Sequence, residues 1–372
     1  MHYVIGDVHG CYDEMIDLVH KIETEDADAN FIFVGDFIDR GPQVDKVLHW
    51  VINNVTLDGK YQSVLGNHEA MVLNWYHNFI KWWNECGFNH PYDVPMPQTQ
   101  YDFSMWANRM GILTPEKLTP YIDFFRSLPY NKAFTITSIW GKKNVFRIVH
   151  ACYDYGVVSE EQQHHANLWA RQESGNCSEE IVIHGHTPTL DIEYIYSGVK
   201  DTNPGMISYR KNDINVDGGC VFAREFPMYP AMLCAIRLED LEEIYVNTVE
   251  EKFLQFTENS IEFSYQEERM ERYRKDYLQN ESKFRKLLLQ KIGHPDYQNI
   301  DDTDEHIPGK PRFIEDDVVT FKYNGEELVG SIEIVNAFGV MGYIEQPYYD
   351  ILTSRFNTTM LIKEIPESDI IC

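Results

Sequence analysis

The chain has 372 residues, 43% hydrophobic and 24% charged, a length that suits one large domain with an appendage. Its formal net charge of −27, from 32 Lys and Arg against 59 Asp and Glu, repels polyanions and argues against nucleic acid or an anionic membrane as partner. Seven cysteines without CxxC spacing, no signal-peptide pattern and no run of ~20 apolar residues together predict a cytoplasmic protein without membrane spans.

The first strand is predicted in "HYVIGDVHG" (2–10), where an apolar run ends in a polar, glycine-bounded cluster. A helix follows in "YDEMIDLVHKIE", with apolar residues at 12, 15, 19 and 22. "FIFVGDFIDRG" (31–41) repeats the theme, and Pro42 then stands where a helix with the inward stripe Val44, Val47, Leu48 and Val51 begins. "YQSVLGNHE" (61–69), "NVFRIVHACYD" (144–154) and "EIVIHGHTP" (180–188) are further copies, with "INVDGG" (214–219) a weaker one. Alternating strands and helices predict an α/β fold, in which ligands sit outside the carboxyl ends of strands. Every polar cluster falls at such an end.

Residues 75–135 interrupt the pattern with two aromatic, helical stretches around a Pro-rich loop, read as a cap insertion or a local packing unit. Residues 249–310 read as a charged helical segment and linker. Residues 311–372 then alternate around Asn324-Gly325, a strong hairpin signal, and predict a small β-barrel-like domain. Eleven acidic residues against four basic ones make that domain a poor nucleic-acid module, and leave it as a protein-docking module or a stabilising appendage.

The clusters supply Asp7, His9, Asp36, Asn67, His150 and His186. Carboxylate, imidazole and amide oxygen are the donors that hold a pair of divalent transition metals, with Asp36 as the candidate bridge. Two such ions acidify a shared water and clamp the oxygens of an in-line displacement, which suits phosphoester hydrolysis. Arg40 offers a fork that matches phosphate oxygens. His68 is placed to protonate the leaving oxygen, with Asp39 to orient it.

This order of motifs, "GDVHG…GDFIDRG…GNHE…H…GH", resembles the phosphoprotein-phosphatase branch of the metallophosphoesterase superfamily. It is most similar to the bacterial and phage-lambda type and to the related symmetrical diadenosine tetraphosphate hydrolases, over residues 1–248. The resemblance implies a β-sandwich flanked by helices. It implies one metal held by Asp7, His9 and Asp36, and a second by Asp36, Asn67, His150 and His186. "LWARQE" (168–173) resembles the family's phosphate-binding arginine segment and adds Arg171 to Arg40 as a phosphate clamp. His68 with Asp39 is the implied general acid, a metal-bridging hydroxide the implied nucleophile, and Mn²⁺ the implied activator, with Fe, Zn or Ni as other occupants.

Two departures stand out. Cys152 replaces the family's usual glycine after "HA", where it either narrows the site or simply packs, and the last motif is "GHTP" rather than "GHxH". His184 is expected to be a packed neighbour of the ligands, His164 and His165 exposed loop residues, Cys11 and Cys220 core, and Glu69 a helix-starting carboxylate that could also touch the groups behind the ligands. Trp75, Phe79, Trp82 and Trp83 form a stripe that fits either helix packing or an adenine site. Three functions remain open: a phosphomonoesterase acting on phosphorylated protein side chains or small phosphoesters, a diadenosine tetraphosphate hydrolase, and an inactive scaffold.

Overall fold

Strands β1 (His2–Ile5) and β2 (Asn30–Phe33) pair in parallel, and their side chains alternate between two cores. Tyr3, Ile5, Phe31 and Phe33 point to one, and Val4, Ile32 and Val34 to the other, as the two-residue repeat of a strand requires. Both faces are dry, so these strands read as near-continuous apolar runs. Each fully buried side chain of this kind stabilises the fold by roughly 1.5–3 kcal/mol.

In the computed structural model the described residues are 1–86, 96–157, 159–171, 179–189, 205–210, 212–224, 231–247, 283–298 and 300, with 318–323, 326–339, 342–355, 358–366 and 370. The chain divides into two compact units, Met1–Asp191 with Asp201–Ile300, and Ile192–Lys200 with Asp301–Cys372.

In the first unit the remaining strands are β3 (Tyr61–Ser63), β4 (Asn131–Thr137), β5 (Lys143–Val149), β6 (Glu180–His184), β7 (Ser208–Arg210), β8 (Asp213–Asn215), β9 (Met232–Arg237) and β10 (Glu243–Asn247). They form two mixed sheets, ordered β10-β9-β1-β2-β3 and β4-β5-β6-β8-β7. In each, three neighbouring strands run parallel: β1, β2 and β3 in one, β5, β6 and β8 in the other. The sheets share a core in which Val4, Ile32 and Val64 meet Phe146, Ile148, Ile183 and Ile214.

The other face of the first sheet is covered by α1 (Tyr12–Glu25), α2 (Val44–Asn54), α3 (Asn67–Cys86), α4 (Phe103–Arg109) and α5 (Pro115–Ser127). The stripe of α2 is buried as its spacing predicts. Thr114 caps α5 by accepting from the Lys117 N–H at 3.4 Å, with Pro115 in the first turn, where its missing N–H costs nothing. The tract read as either a cap or a packing unit thus packs into the main core: Phe79, Phe103 and Phe125 are fully buried.

Later in the chain come α6 (Glu160–Trp169) and α7 (Lys283–Lys291). Leu288, Leu289 and Ile292 enter the core between the sheets, Lys291 Nζ donates to Asn212 Oδ1 at 2.9 Å, and Ser138 Oγ donates to the Ile292 carbonyl at 2.7 Å. Residues 283–292, read from sequence as the end of the charged helical segment, form α7 and its exit and are packed on the sandwich. The rest of the helical expectation, residues 249–282, lies outside the described residues.

In the second unit β11 (Val318–Tyr323), β12 (Glu326–Gly339), β13 (Gly342–Arg355) and β14 (Thr358–Pro366) form an antiparallel meander. Tyr323 pairs with Glu326, while the expected hairpin residues 324 and 325 lie outside the described residues. The pairing among the described strands is an open four-stranded sheet, with one isolated bridge from Phe321 to Ile370, and does not support the barrel-like domain expected. None of the described helices is long and apolar enough to cross a membrane.

Candidate active site

The six parallel strands end at one place. Asp7 and His9 follow β1, Asp36 follows β2, Asn67 follows β3, His150 follows β5, His186 follows β6, and Asp217 follows β8. The turns that deliver them are tight. His9, Asp36, Asp39, Arg40 and His186 have φ of +42°, +51°, +67°, +64° and +68°, five of the six non-glycine residues with positive φ among those described. That backbone is disfavoured for side-chain-bearing residues and persists only where the surroundings over-determine it.

Glu69 supplies part of that constraint. Its carboxylate is fully buried in the first turn of α3 and accepts from the backbone N–H groups of Asp36 and Phe37 at 2.9 Å and of Ile38 at 3.3 Å. Burial pushes its pKa up to about 7. Sequence reasoning placed this side chain at a helix start, with a contact behind the ligands as an alternative, and did not identify the backbone of the Asp36 loop as what it clasps.

Asp36 is the hub. Its Oδ2 lies 3.3 Å from His9 Nε2, 3.5 Å from His150 Nε2 and 3.9 Å from His68 Nε2, and its Oδ1 accepts from the His68 backbone N–H at 3.0 Å. Asp7 accepts from the His186 N–H at 3.1 Å and groups with Asp36 and His150. Burial, and then neighbouring anions, raise both carboxyls: Asp217 and Asp36 act on Asp7, and Glu69 acts on Asp36. Burial lowers His9 and His150 well below the ordinary value and brings His186 to about 3, with Arg171 as the next cause there. The imidazoles are therefore neutral and present lone pairs.

The tautomers follow from the outer partners. His9 Nδ1 donates to the Ile38 carbonyl at 2.8 Å and His150 Nδ1 to the Val34 carbonyl at 2.9 Å, which leaves both Nε2 atoms as acceptors. His150 Nε2 then sits 2.7 Å from Asn67 Oδ1 and 3.2 Å from His186 Nδ1, itself 3.1 Å from Asn67 Oδ1. Two acceptors as close as His150 Nε2 and Asn67 Oδ1 repel unless a proton or a cation lies with them, and a metal ion supplies that charge. Histidines that donate one nitrogen to a carbonyl and aim the other inward are the usual form of metal ligands, so the donor set fits divalent ions.

His68 is buried and its Nδ1 lies 2.7 Å from Asp39 Oδ2. Burial lowers its pKa and the Asp39 carboxylate opposes that fall. Arg40 and Arg171 are both exposed; Arg171 Nη1 donates to Thr187 Oγ1 at 3.4 Å. All ten residues singled out from sequence are thus in the described part of one unit, around the ends of the parallel strands.

The side expectations fare unevenly. Cys11, Cys152 and Cys220 are buried, and Cys152 packs at 0% exposure with its N–H donating to the Ala166 carbonyl. His184 is a packed neighbour, with Nε2 3.1 Å from Asp213 Oδ1. His164 and His165 lie in α6 rather than a loop, and His164 stacks on Tyr130 at 3.6 Å. Trp75 and Phe79 are buried in helix packing and offer no ring to a base. Sequence reasoning missed Asp217, whose signal was the weak "INVDGG" strand end. It also missed Tyr101 and Trp169, exposed aromatics beside His68 and His186.

A profile of the calcineurin-like phosphoesterase family matches residues 3–216. Over 121 residues the chain is 43% identical to the zinc-dependent endopolyphosphatase of Saccharomyces cerevisiae, covering 32% of this chain and 29% of that protein. Over 71 residues it is 44% identical to the symmetrical bis(5'-nucleosyl)-tetraphosphatase of Escherichia coli, covering 19% of this chain and 24% of that one. The chain therefore spans less than a third of the length of these curated relatives. A solved protein serine/threonine phosphatase from Saccharomyces cerevisiae aligns with TM-score 0.39 at 13% identity, over 66% of this chain and 78% of that one.

Proposed function

This chain belongs to the calcineurin-like phosphoesterase family, and from that premise we propose that it is a dinuclear-metal-dependent phosphoric ester hydrolase whose catalytic domain is residues 1–248. The observation that carries the reading is the convergence of His150 Nε2, Asn67 Oδ1 and His186 Nδ1 within 3.2 Å of one another, beside the buried Asp36 carboxylate. Asp7, His9 and Asp36 would hold one ion, and Asp36, Asn67, His150 and His186 the other. When bound, the ions supply an acidified water and neutralise phosphate charge; Mn²⁺ is the first choice, with Zn²⁺ (the metal in the yeast relative's name), Fe or Ni as other occupants.

The protein's own side chains do the rest. Arg40 and Arg171 bind the phosphate oxygens and orient the ester, each with a planar fork of donors. His68, as the imidazolium, holds a proton at Nε2 and passes it to the departing oxygen, while Asp39 accepts from Nδ1–H, stabilises the charged form and fixes the ring orientation. The substrate is a phosphomonoester, first a phosphorylated Ser or Thr side chain. A second reading, hydrolysis of a dinucleoside polyphosphate, is favoured by the name of the Escherichia coli relative, while the yeast relative's name points to polyphosphate. The acidic second unit is proposed as a protein-docking module, and the compartment as the cytoplasm.

The deciding experiment compares turnover of a phosphoserine peptide and of diadenosine tetraphosphate by Mn²⁺-loaded protein, with His68→Asn as control. Peptide cleavage that falls about 10²–10⁴-fold in the variant supports the first reading. Preference for the dinucleotide supports the second. Failure to cleave either with any divalent ion overturns both.

A further inference from the structure

Metal binding and phosphate clamping leave the rim of the site unexplained. His68 is held on three sides: Asp39 on Nδ1, the Asp36 carboxylate on its backbone N–H, and His9 edge-on at 4.6 Å. The Asp39 bond alone would let the imidazole pivot about that nitrogen and swing Nε2 away from the reacting oxygen. A fourth group removes that freedom. The ring of Tyr101 lies 4.4 Å from the His68 ring, inclined at 32°.

The two exposures differ sharply: His68 is 1% exposed and Tyr101 40%. Tyr101 therefore stands between His68 and solvent, with part of its surface on the imidazole and part in water. The guanidinium carbon of Arg40 is 5.5 Å from the centre of the same ring and 5.1 Å from that of Phe222. One tyrosine thus touches both the group assigned to the leaving oxygen and the cation assigned to the phosphate.

Tyr101 is itself braced. Thr99 Oγ1 donates to its carbonyl at 2.7 Å and accepts from the Ser104 N–H at 3.1 Å. Phe103 anchors the next turn at 0% exposure, and Trp75 Nε1 donates to the Pro97 carbonyl at 2.8 Å from α3. A residue serving only to fill space would not need its turn tied at both ends while 40% of it stays exposed.

We propose that Tyr101 is a positioning residue for His68, which holds the imidazole on the leaving oxygen and forms the wall along which the leaving group departs. This rests on the role given to His68 above. Its consequence is selective: alkoxide leaving groups need the proton from His68, whereas nitrophenolate departs without one.

The test measures kcat and KM of wild-type, Tyr101→Ala and Tyr101→Phe proteins on a phosphoserine peptide and on p-nitrophenyl phosphate. Tyr101→Ala is expected to lower kcat on the peptide by at least ~10-fold and on the nitrophenyl ester by under ~3-fold, since misplacement of an acid costs only the step that uses it. Tyr101→Phe keeps the stacked ring and is expected to restore the peptide rate. An equal loss on both substrates, or none on the peptide, overturns the inference. If wild-type protein fails to cleave the peptide, the proposed function fails separately. The inference is then decided in metal-free protein by NMR. The His68 Hδ1 resonance, assigned by its absence in His68→Asn and held by the Asp39 bond, must exchange with solvent faster in Tyr101→Ala and not in Tyr101→Phe, and unchanged exchange in Tyr101→Ala overturns it.

Discussion

Replacing Glu69 by Ala should unfasten the loop that carries the hub of the site. The side chain accepts two backbone N–H groups at 2.9 Å and a weaker third at 3.3 Å, all fully buried. Hydrogen bonds to a charged acceptor contribute about 1.5–3 kcal/mol each, so two full bonds set a range of roughly 3–6 kcal/mol. Burial of the carboxylate, which drives its pKa to about 7, offsets part of this and points to the lower end. We expect Glu69→Ala to lose about 3 kcal/mol of stability, read as a lower urea midpoint of the metal-free protein. Because Asp36 sits in the freed loop at φ +51°, Mn²⁺ affinity measured by calorimetry should fall as well. A loss below about 1 kcal/mol with unchanged Mn²⁺ affinity would mean that the loop is held by something else, and would refute the clasp.

Two further perturbations follow from other contacts. A Cβ on Gly185 would meet Asp7 Oδ1 at 2.0 Å, so Gly185→Ala should displace Asp7 and weaken Mn²⁺ binding about 10–100-fold, measured by calorimetry; undiminished affinity would exclude Asp7 as a ligand. Glu180 accepts from Arg147 Nε at 2.6 Å and Nη2 at 3.0 Å, and this hydrogen-bonded guanidinium holds its pKa below the ordinary value. A lowered folded-state pKa gives stability that is fully present above about pH 4.5 and lost as pH falls through the folded value. Glu180→Gln should therefore lower the urea midpoint at neutral pH and flatten its acid limb, and pH profiles that stay parallel would count against the pair.

What the chain discloses in advance depends on whether a feature is local. The α2 stripe Val44, Val47, Leu48, Val51 is legible because helical spacing writes it into neighbouring turns. The strand-end donors are legible because each cluster directly follows its own apolar run. Glu69 is visible as a residue but not as a clasp, since its partners are backbone groups 31–33 positions earlier, brought near by the pairing of β2 with β3. Tyr101 is 33 positions from His68 in a Pro-rich stretch with no periodicity, and only the buried Phe103 and the Trp75 tie bring it back. The packing of α7 was hidden by its charge: Leu288, Leu289 and Ile292 are a short apolar face within a strongly ionic tract.

The left-handed turns at His9, Asp36, Asp39, Arg40 and His186 carry an implication for engineering. Each such residue costs on the order of 1–2 kcal/mol relative to a glycine in the same conformation. A library screened for heat resistance alone would thus be rewarded most at the five positions whose side chains face the centre of the site. Directed evolution of this scaffold needs a selection for turnover at every round, because its cheapest route to a higher melting temperature is to discard the chemistry.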